Sequence, residues 1–163
     1  KNFKSIKDID SYVEEWQIVN DIQLILRNNN LSSKFLLLLS EKNNFTNFDQ
    51  FKNYQMDLLK KMFGSIGQNL DDFFIINIDF SKMKESHLHK IKEILKLYFT
   101  FANPKIFIDM SSEDLNKFFE LDKLNLKVDN FKIPAVSDII KNQSLKRDAW
   151  IQLKILKVKL NEF

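Results

Sequence analysis

Three short apolar runs, Phe35–Leu39, residues 73–78 and Ile106–Met110, dictate most of what this chain can become. Each is shorter than the ~10–12 residues of a helix and lacks regular polar alternation, so each reads as a strand buried on both faces. The stretches between them carry apolar residues at helical spacing. Ile6, Ile9, Val13 and Trp16 mark a first helix, and Ile22 with Leu26 extend its pattern loosely to the Asn28-Asn29-Asn30 loop. Phe48, Phe51, Gln55, Leu58, Leu59, Met62 and Ile66 fall on one stripe, opened by Thr46-Asn47 and ended near Gly67. Leu88, Ile91, Leu95 and Tyr98 mark another helix that Asn103-Pro104 stops. Ser111 and Asp114 are spaced as a capping box ahead of a short helix with Leu115, Phe118 and Phe119 inward. Residues 124–128 alternate weakly as a fourth strand, and past Pro134 the chain ends in a helix with Leu145, Ala149, Leu153, Leu156 and Leu160 inside.

Solid strands alternating with amphipathic helices specify an α/β fold, here a three-layer αβα sandwich around a mostly parallel four-stranded sheet with right-handed crossovers. Residues 1–33 read as an N-terminal helical segment and 34–163 as the α/β domain, together one globular unit. Ligands of open parallel sheets bind beyond the carboxyl ends of the strands, where strand order reverses. That rule selects residues 40–44, 77–81 and Ser111.

Composition removes many chemistries. Of 163 residues none is Cys, which excludes thiol catalysis, Cys-ligated zinc, iron-sulfur clusters and a disulfide framework. Only two are Gly, so no glycine-rich phosphate loop exists. His87 and His89 point in different directions on a helix and cannot chelate one ion, which leaves them facing solvent. Ser111-Ser112 has neither the flanking Gly nor the His partner of a nucleophile turn. No metal and no cofactor are expected. The longest strongly apolar run, Phe35–Leu39, falls far short of the ~20 residues that cross a membrane, so no membrane partner is expected. The chain opens on Lys1 without the apolar stretch of a secretory signal, and a trimmed start and a cytoplasmic location are the expectation. The net charge of +3 is too small to imply nucleic acid, yet from Lys132 onward seven basic residues stand against three acidic ones. Such a segment either tracks a phosphate backbone or is a solvated helix face.

From about Lys34 to Leu156, the order and spacing of elements resemble the uracil-DNA glycosylase superfamily, in particular its iron-sulfur type. Leu58-Leu59-Lys60-Lys61-Met62 matches that family's Leu-Leu-x-Lys-Met helix, and Phe51 stands where a Pro-Phe pair precedes it. Asp72-Phe73-Phe74-Ile75-Ile76-Asn77-Ile78 is similar to the second strand, and Pro104-Lys105-Ile106-Phe107-Ile108 to the third. Ile139-Ile140-Lys141-Asn142-Gln143-Ser144-Leu145-Lys146-Arg147-Asp148-Ala149-Trp150-Ile151-Gln152-Leu153 resembles the C-terminal Leu-Leu-x-Asn-Pro-x-Leu-Lys-Arg-x-x-Trp-x-x-Leu pattern. The resemblance implies Glu41 as a catalytic carboxylate near the sugar, Phe51 as a stacking wall, Asn77 as the uracil-reading amide, and Lys141, Lys146 and Arg147 as DNA-phosphate contacts. Each pocket residue also has an ordinary reading: core packing for Phe51, a solvated charge for Glu41, strand-end hydrogen bonding for Asn77. The departures are telling. The family's Gly-Glu-Ala-Pro-Gly turn is reduced to Glu41, its catalytic His falls on Ala135 or Ile133, and its cluster cysteines are gone, with Ser81 at the place of one. Losing one preorganised donor typically costs about 2.7–4 kcal/mol of transition-state stabilisation.

A second resemblance is to the psi subunit of the bacterial DNA polymerase III clamp loader, a related fold without the catalytic residues. Pro134-Ala135-Val136-Ser137-Asp138-Ile139-Ile140-Lys141-Asn142 matches its Pro-Ala-Leu-Thr-Asp-Leu-x-x-Asn pattern, and Glu15-Trp16-Gln17-Ile18 is faintly similar to its clamp-loader-binding Asp-Trp-Gln-Leu. The expectation is a degenerate uracil-DNA glycosylase-like protein, DNA-associated, with weak or absent base excision. The alternatives are a psi-like adaptor that binds a replication protein through the segment around Trp16, and an active glycosylase with an altered catalytic set.

Overall fold

The computed structural model describes residues 2–51, 54–113 and 128–163. The expected helix at Leu115, Phe118 and Phe119 and all but Val128 of the expected strand over 124–128 lie outside them. Among the described residues the chain forms α1 (Ile6–Val19), β1 (Ile25–Arg27), β2 (Phe35–Leu39), α2 (Tyr54–Gly64), β3 (Phe74–Ile78), α3 (Glu85–Ala102), β4 (Ile106–Met110), β5 (Asp129–Lys132), α4 (Val136–Lys141) and α5 (Leu145–Leu160). No helix among them is long and apolar enough to cross a membrane.

The sheet order is β1-β3-β2-β4-β5, with β2, β3, β4 and β5 parallel and β1 antiparallel to β3 at one edge. Among the described residues the sheet is therefore five-stranded and mixed, rather than the four-stranded one expected. Neither β1 nor β5 coincides with an expected strand: β5 spans Asp129–Lys132, past the 124–128 stretch. Leu24 is buried just before β1 and Ile25 and Leu26 are buried within it, while α1 stops at Asn20 and the chain turns through Asp21 at φ 52°. Ile22 and Leu26 do not extend the first helix.

Alternation explains why the central strands are apolar throughout. Leu36 and Leu38 face a core with Ile9 and Val13 of α1 and Ile91, Leu95 and Tyr98 of α3, while Leu37 and Leu39 face the other core with Leu59, Phe63, Ile139 and Leu153. Helices α1 and α3 thus cover one face and α2, α4 and α5 the other. Residues 1–33 supply a helix to one core and an edge strand to the sheet. Gln17, on α1, is buried and accepts the Leu24 and Ile25 N–H groups through Oε1 at 2.7 and 2.8 Å. Asp10 of α1 accepts the Tyr98 hydroxyl at 2.6 Å and ion-pairs with Arg27 Nε at 2.7 Å, joining α1, α3 and β1. Burial, followed by the Asp10 charge, pushes the Tyr98 phenol far up.

The stripe expected to run from Phe48 to Ile66 as one helix is split. Phe48–Gln50 is a single tight turn capped by Asn47, and α2 begins at Tyr54 with Met56, Leu59 and Phe63 inward. Helix α3 ends as its sequence requires, on Asn103 in the left-handed conformation before Pro104. His87 is half-buried: its Nδ1 accepts the Lys84 N–H at 2.9 Å and its ring stands edge-on to Trp16, whereas His89 is exposed.

Candidate functional site

Strand order reverses at β2, whose chain leaves toward β3 on one side while β4 lies on the other. The loops leaving β2 and β4 meet at that crevice. Ser40 Oγ accepts the Ser112 N–H at 2.8 Å and lies 3.2 Å from the Ser112 hydroxyl. The three segments selected from the sequence are thus brought to one end of the sheet, where 40–44 bonds to 77–81 and to Ser112, the neighbour of Ser111.

Asn77 is fully buried in β3 on the α2 side of the sheet. Its Oδ1 accepts the Glu41 N–H at 2.8 Å and its Nδ2 donates to the Glu41 carbonyl at 2.9 Å. The Glu41 side chain turns inward, 3% exposed, and Oε1 accepts the Ser137 N–H at 3.1 Å while Oε2 accepts the Ser137 hydroxyl at 3.2 Å. The N-cap of α4 is Ala135, which has no side-chain acceptor, so Glu41 caps the helix from a distant loop. Burial pushes the Glu41 carboxyl above its ordinary value, opposed by the Ser137 hydrogen bonds and the Lys141 charge and aided by Asp138. Glu41 is accordingly a buried carboxyl rather than the solvated charge of its ordinary reading.

The same loop is held at a second point. Asp79, buried after β3, accepts the Asn43 N–H at 2.7 Å and the Ser81 N–H at 3.1 Å, and Lys82 donates to the Asn43 carbonyl. Asn43 Oδ1 accepts the Phe45 N–H at 2.8 Å, and Nδ2, also buried, has no partner among the described residues. At the end of β4, Asp109 accepts the Ser111 hydroxyl at 2.7 Å and pairs with Lys132 of β5 at 3.2 Å. Asn43 and Asp79 fall within the segments that the parallel-sheet rule selects, but neither was named as a site residue, and neither were Asp109, Lys132 and Ser137. The available signal was a polar residue closing an apolar strand, which Asp79 and Asp109 share with Asn77.

Phe51 lies elsewhere. It is 2% exposed, packs against Phe45 and Phe48, and lines a cavity of about 540 Å³ with Asn28, Asn29 and Asn30 after β1, Leu70 and Asp71 before β3, and Met56 and Lys60 of α2. Neither Glu41 nor Asn77 borders that cavity. The Asn28 side chain is already bonded to the Phe73 carbonyl and Ile75 N–H, and Asn30 to the Asp71 carbonyl. Glu41 and Asn77 are therefore brought together, and Phe51 is not with them.

Ala135 and Ile133, the two positions aligned with the family's His, are 1% and 0% exposed and belong to the apolar interior. Ser81 binds Asp79 through both its N–H and its hydroxyl. Lys141, Lys146 and Arg147 are exposed around the α4–α5 junction, and none forms an ion pair among the described residues. Trp16 is half-buried against the α1–α3 core and does not sit on a free peptide. No group of three or more His, Asp or Glu side chains among the described residues is placed to hold a metal ion. No protein-family model and no curated protein matches the chain.

Proposed function

We propose that this chain is a non-enzymatic interaction module, an adaptor of the psi kind on a uracil-DNA glycosylase-like fold, whose nucleotide position is filled by its own main chain. The observation that carries this reading is the pairing of Asn77 with Glu41. An amide that reads a base edge must offer its carbonyl and amino groups to the ligand. Here both already bind the Glu41 backbone within a buried site, and the Glu41 carboxylate is occupied in capping α4. A base would have to displace four hydrogen bonds between protein groups, counting the two to Ser137. The test is incubation with single- and double-stranded uracil-containing DNA followed by alkaline cleavage of abasic sites. Background cutting is expected, and turnover comparable to an ordinary glycosylase overturns the reading. Titration with the assembled clamp loader tests the partner class, with saturable binding expected.

A second reading, DNA association without excision, is favoured by the exposed Lys141, Lys146 and Arg147, which form no ion pair among the described residues. Lys146 and Arg147 stand in the first turn of α5 with Asp148 as that turn's acidic residue, and an added anion there would also meet the positive end of the helix dipole. Anisotropy titrations with short DNA at two salt concentrations test it. If these residues contact a duplex, each one changed to Gln lowers the salt slope of log K by about 0.9.

A further inference from the structure

Helix α5 carries two apolar stripes, and the core uses one. Ala149, Leu153, Leu156 and Leu160 are buried, with Leu145 packed partly against them. On the outward side Ile151, Ile155 and Val158 are 45%, 51% and 67% exposed at i, i+4 and i+7 spacing, a continuous ridge. Along one flank run Arg147, Trp150 and Lys154, with the Lys154 ammonium 5.3 Å from the Trp150 ring centroid, and Lys157 beyond them. Among the described residues no carboxylate ion-pairs with Arg147, Lys154 or Lys157, whereas Lys159 on the same helix pairs with Asp129 and Glu162. The only acidic residue of α5 is Asp148.

We propose that this outward face of α5 docks an acidic amphipathic helix of a partner protein, an inference that rests on the interaction-module reading and names the chemistry of the partner. Branched side chains at i, i+4 and i+7 form a ridge that fits between the side chains of a facing helix. The unpaired cations beside it select carboxylates on that helix. A second copy of this chain fits less well, because antiparallel two-fold pairing of α5 sets the basic flank of one copy against the basic flank of the other. A phosphate backbone would engage Arg147 and Lys154 but leave Ile151, Ile155 and Val158 in water. An anionic membrane suits a helix with a broad apolar face, and here one whole side of α5 is already committed to the core.

The test uses the full chain and fluorescein-labelled helical peptides of about 20 residues with a Leu stripe. One carries flanking Glu, one carries flanking Lys, and one is a scramble of the Glu peptide. We expect anisotropy to rise with the Glu-flanked peptide at least about tenfold more tightly than with the others. Ile155→Glu should weaken binding about tenfold or more, and Arg147→Glu with Lys154→Glu should do the same while reducing its salt dependence. These positions are exposed, and unchanged circular dichroism spectra verify that the variants fold. No binding at about 100 μM, equal binding of the scramble, or an unchanged Ile155→Glu overturns the proposal. So does stronger binding to phosphatidylglycerol vesicles or to short DNA, or dimerisation in sedimentation velocity. Uracil excision measured in parallel separates the two failures: turnover sinks the interaction-module reading, and peptide results alone decide the docking face.

Discussion

The Asn77 side chain bonds the Glu41 main chain as a neighbouring strand would, accepting its N–H and donating to its carbonyl. Parallel pairing of β2 and β3 ends in register at Leu39 and Asn77. Just beyond, β2 leaves the sheet, and Glu41 would bury two main-chain groups without partners. The amide extends the ladder to them, so a residue type that reads bases elsewhere is used here to finish a sheet. Its removal should act on stability. We expect Asn77→Ala to destabilise the protein by about 2–5 kcal/mol, because each orphaned buried group costs about 1–3 kcal/mol. Urea unfolding measures it, and a loss under 1 kcal/mol would refute the assignment.

Glu41 makes stability depend on pH in a particular direction. Its folded pKa is raised by burial, so folding favours the protonated form. Its contribution is fully present below the ordinary carboxylate value and is lost as pH rises through the folded one. Glu41→Gln keeps an acceptor for the Ser137 N–H and removes the charge. We expect the variant to gain stability relative to the parent as pH rises from about 4 to 7. Parallel urea titrations at several pH values test this, and a difference that shrinks or reverses over that interval contradicts it.

Strands β2, β3 and β4 were legible because strands buried on both faces must be apolar throughout, as Leu36, Leu37, Leu38 and Leu39 show. The α5 stripe was legible because Ala149, Leu153, Leu156 and Leu160 repeat at the helical period. β1 was not, because three residues are too few to display a period and Leu26 also fits a loose continuation of α1. The stripe from Phe48 to Ile66 misled because apolar spacing persists across a break: Phe51 packs inward from outside α2. The site was half legible. The rule for parallel sheets selects segments that the fold does bring to one end of the sheet, but sequence spacing carries no information on whether Asn77 meets a cavity or the Glu41 backbone. Ser137 lies 96 residues from Glu41, and nothing local in either segment announces that contact.

The N-terminal segment should prove inseparable from the domain. Removing residues 1–29 deletes β1 and exposes the core that Ile9, Val13, Leu24 and Ile25 now close. Each buried aliphatic side chain contributes about 1.5–3 kcal/mol, so the loss of these four is comparable to a whole typical stability margin of about 5–15 kcal/mol, and β1 pairing goes with them. We expect the truncated chain to be insoluble or to give a collapsed, uncooperative unfolding curve. A milder variant separates packing from polar contacts. Asp10→Ala strands the Tyr98 hydroxyl and Arg27 and should cost about 2–4 kcal/mol.

Placing a His where the glycosylase resemblance would put one should damage this protein rather than activate it. Ala135 and Ile133 are enclosed by the apolar interior, so an imidazole at either position overpacks the core and buries a polar ring. Ala135 also precedes the first turn of α4, where Glu41 already satisfies the Ser137 N–H. We expect Ala135→His and Ile133→His each to lose about 2–4 kcal/mol, with a fall in Tm of about 2–4 °C per kcal/mol. Neither should gain uracil excision. Calorimetry with the alkaline cleavage assay checks both halves of the expectation, and a stable variant that cuts uracil-containing DNA would restore the glycosylase reading.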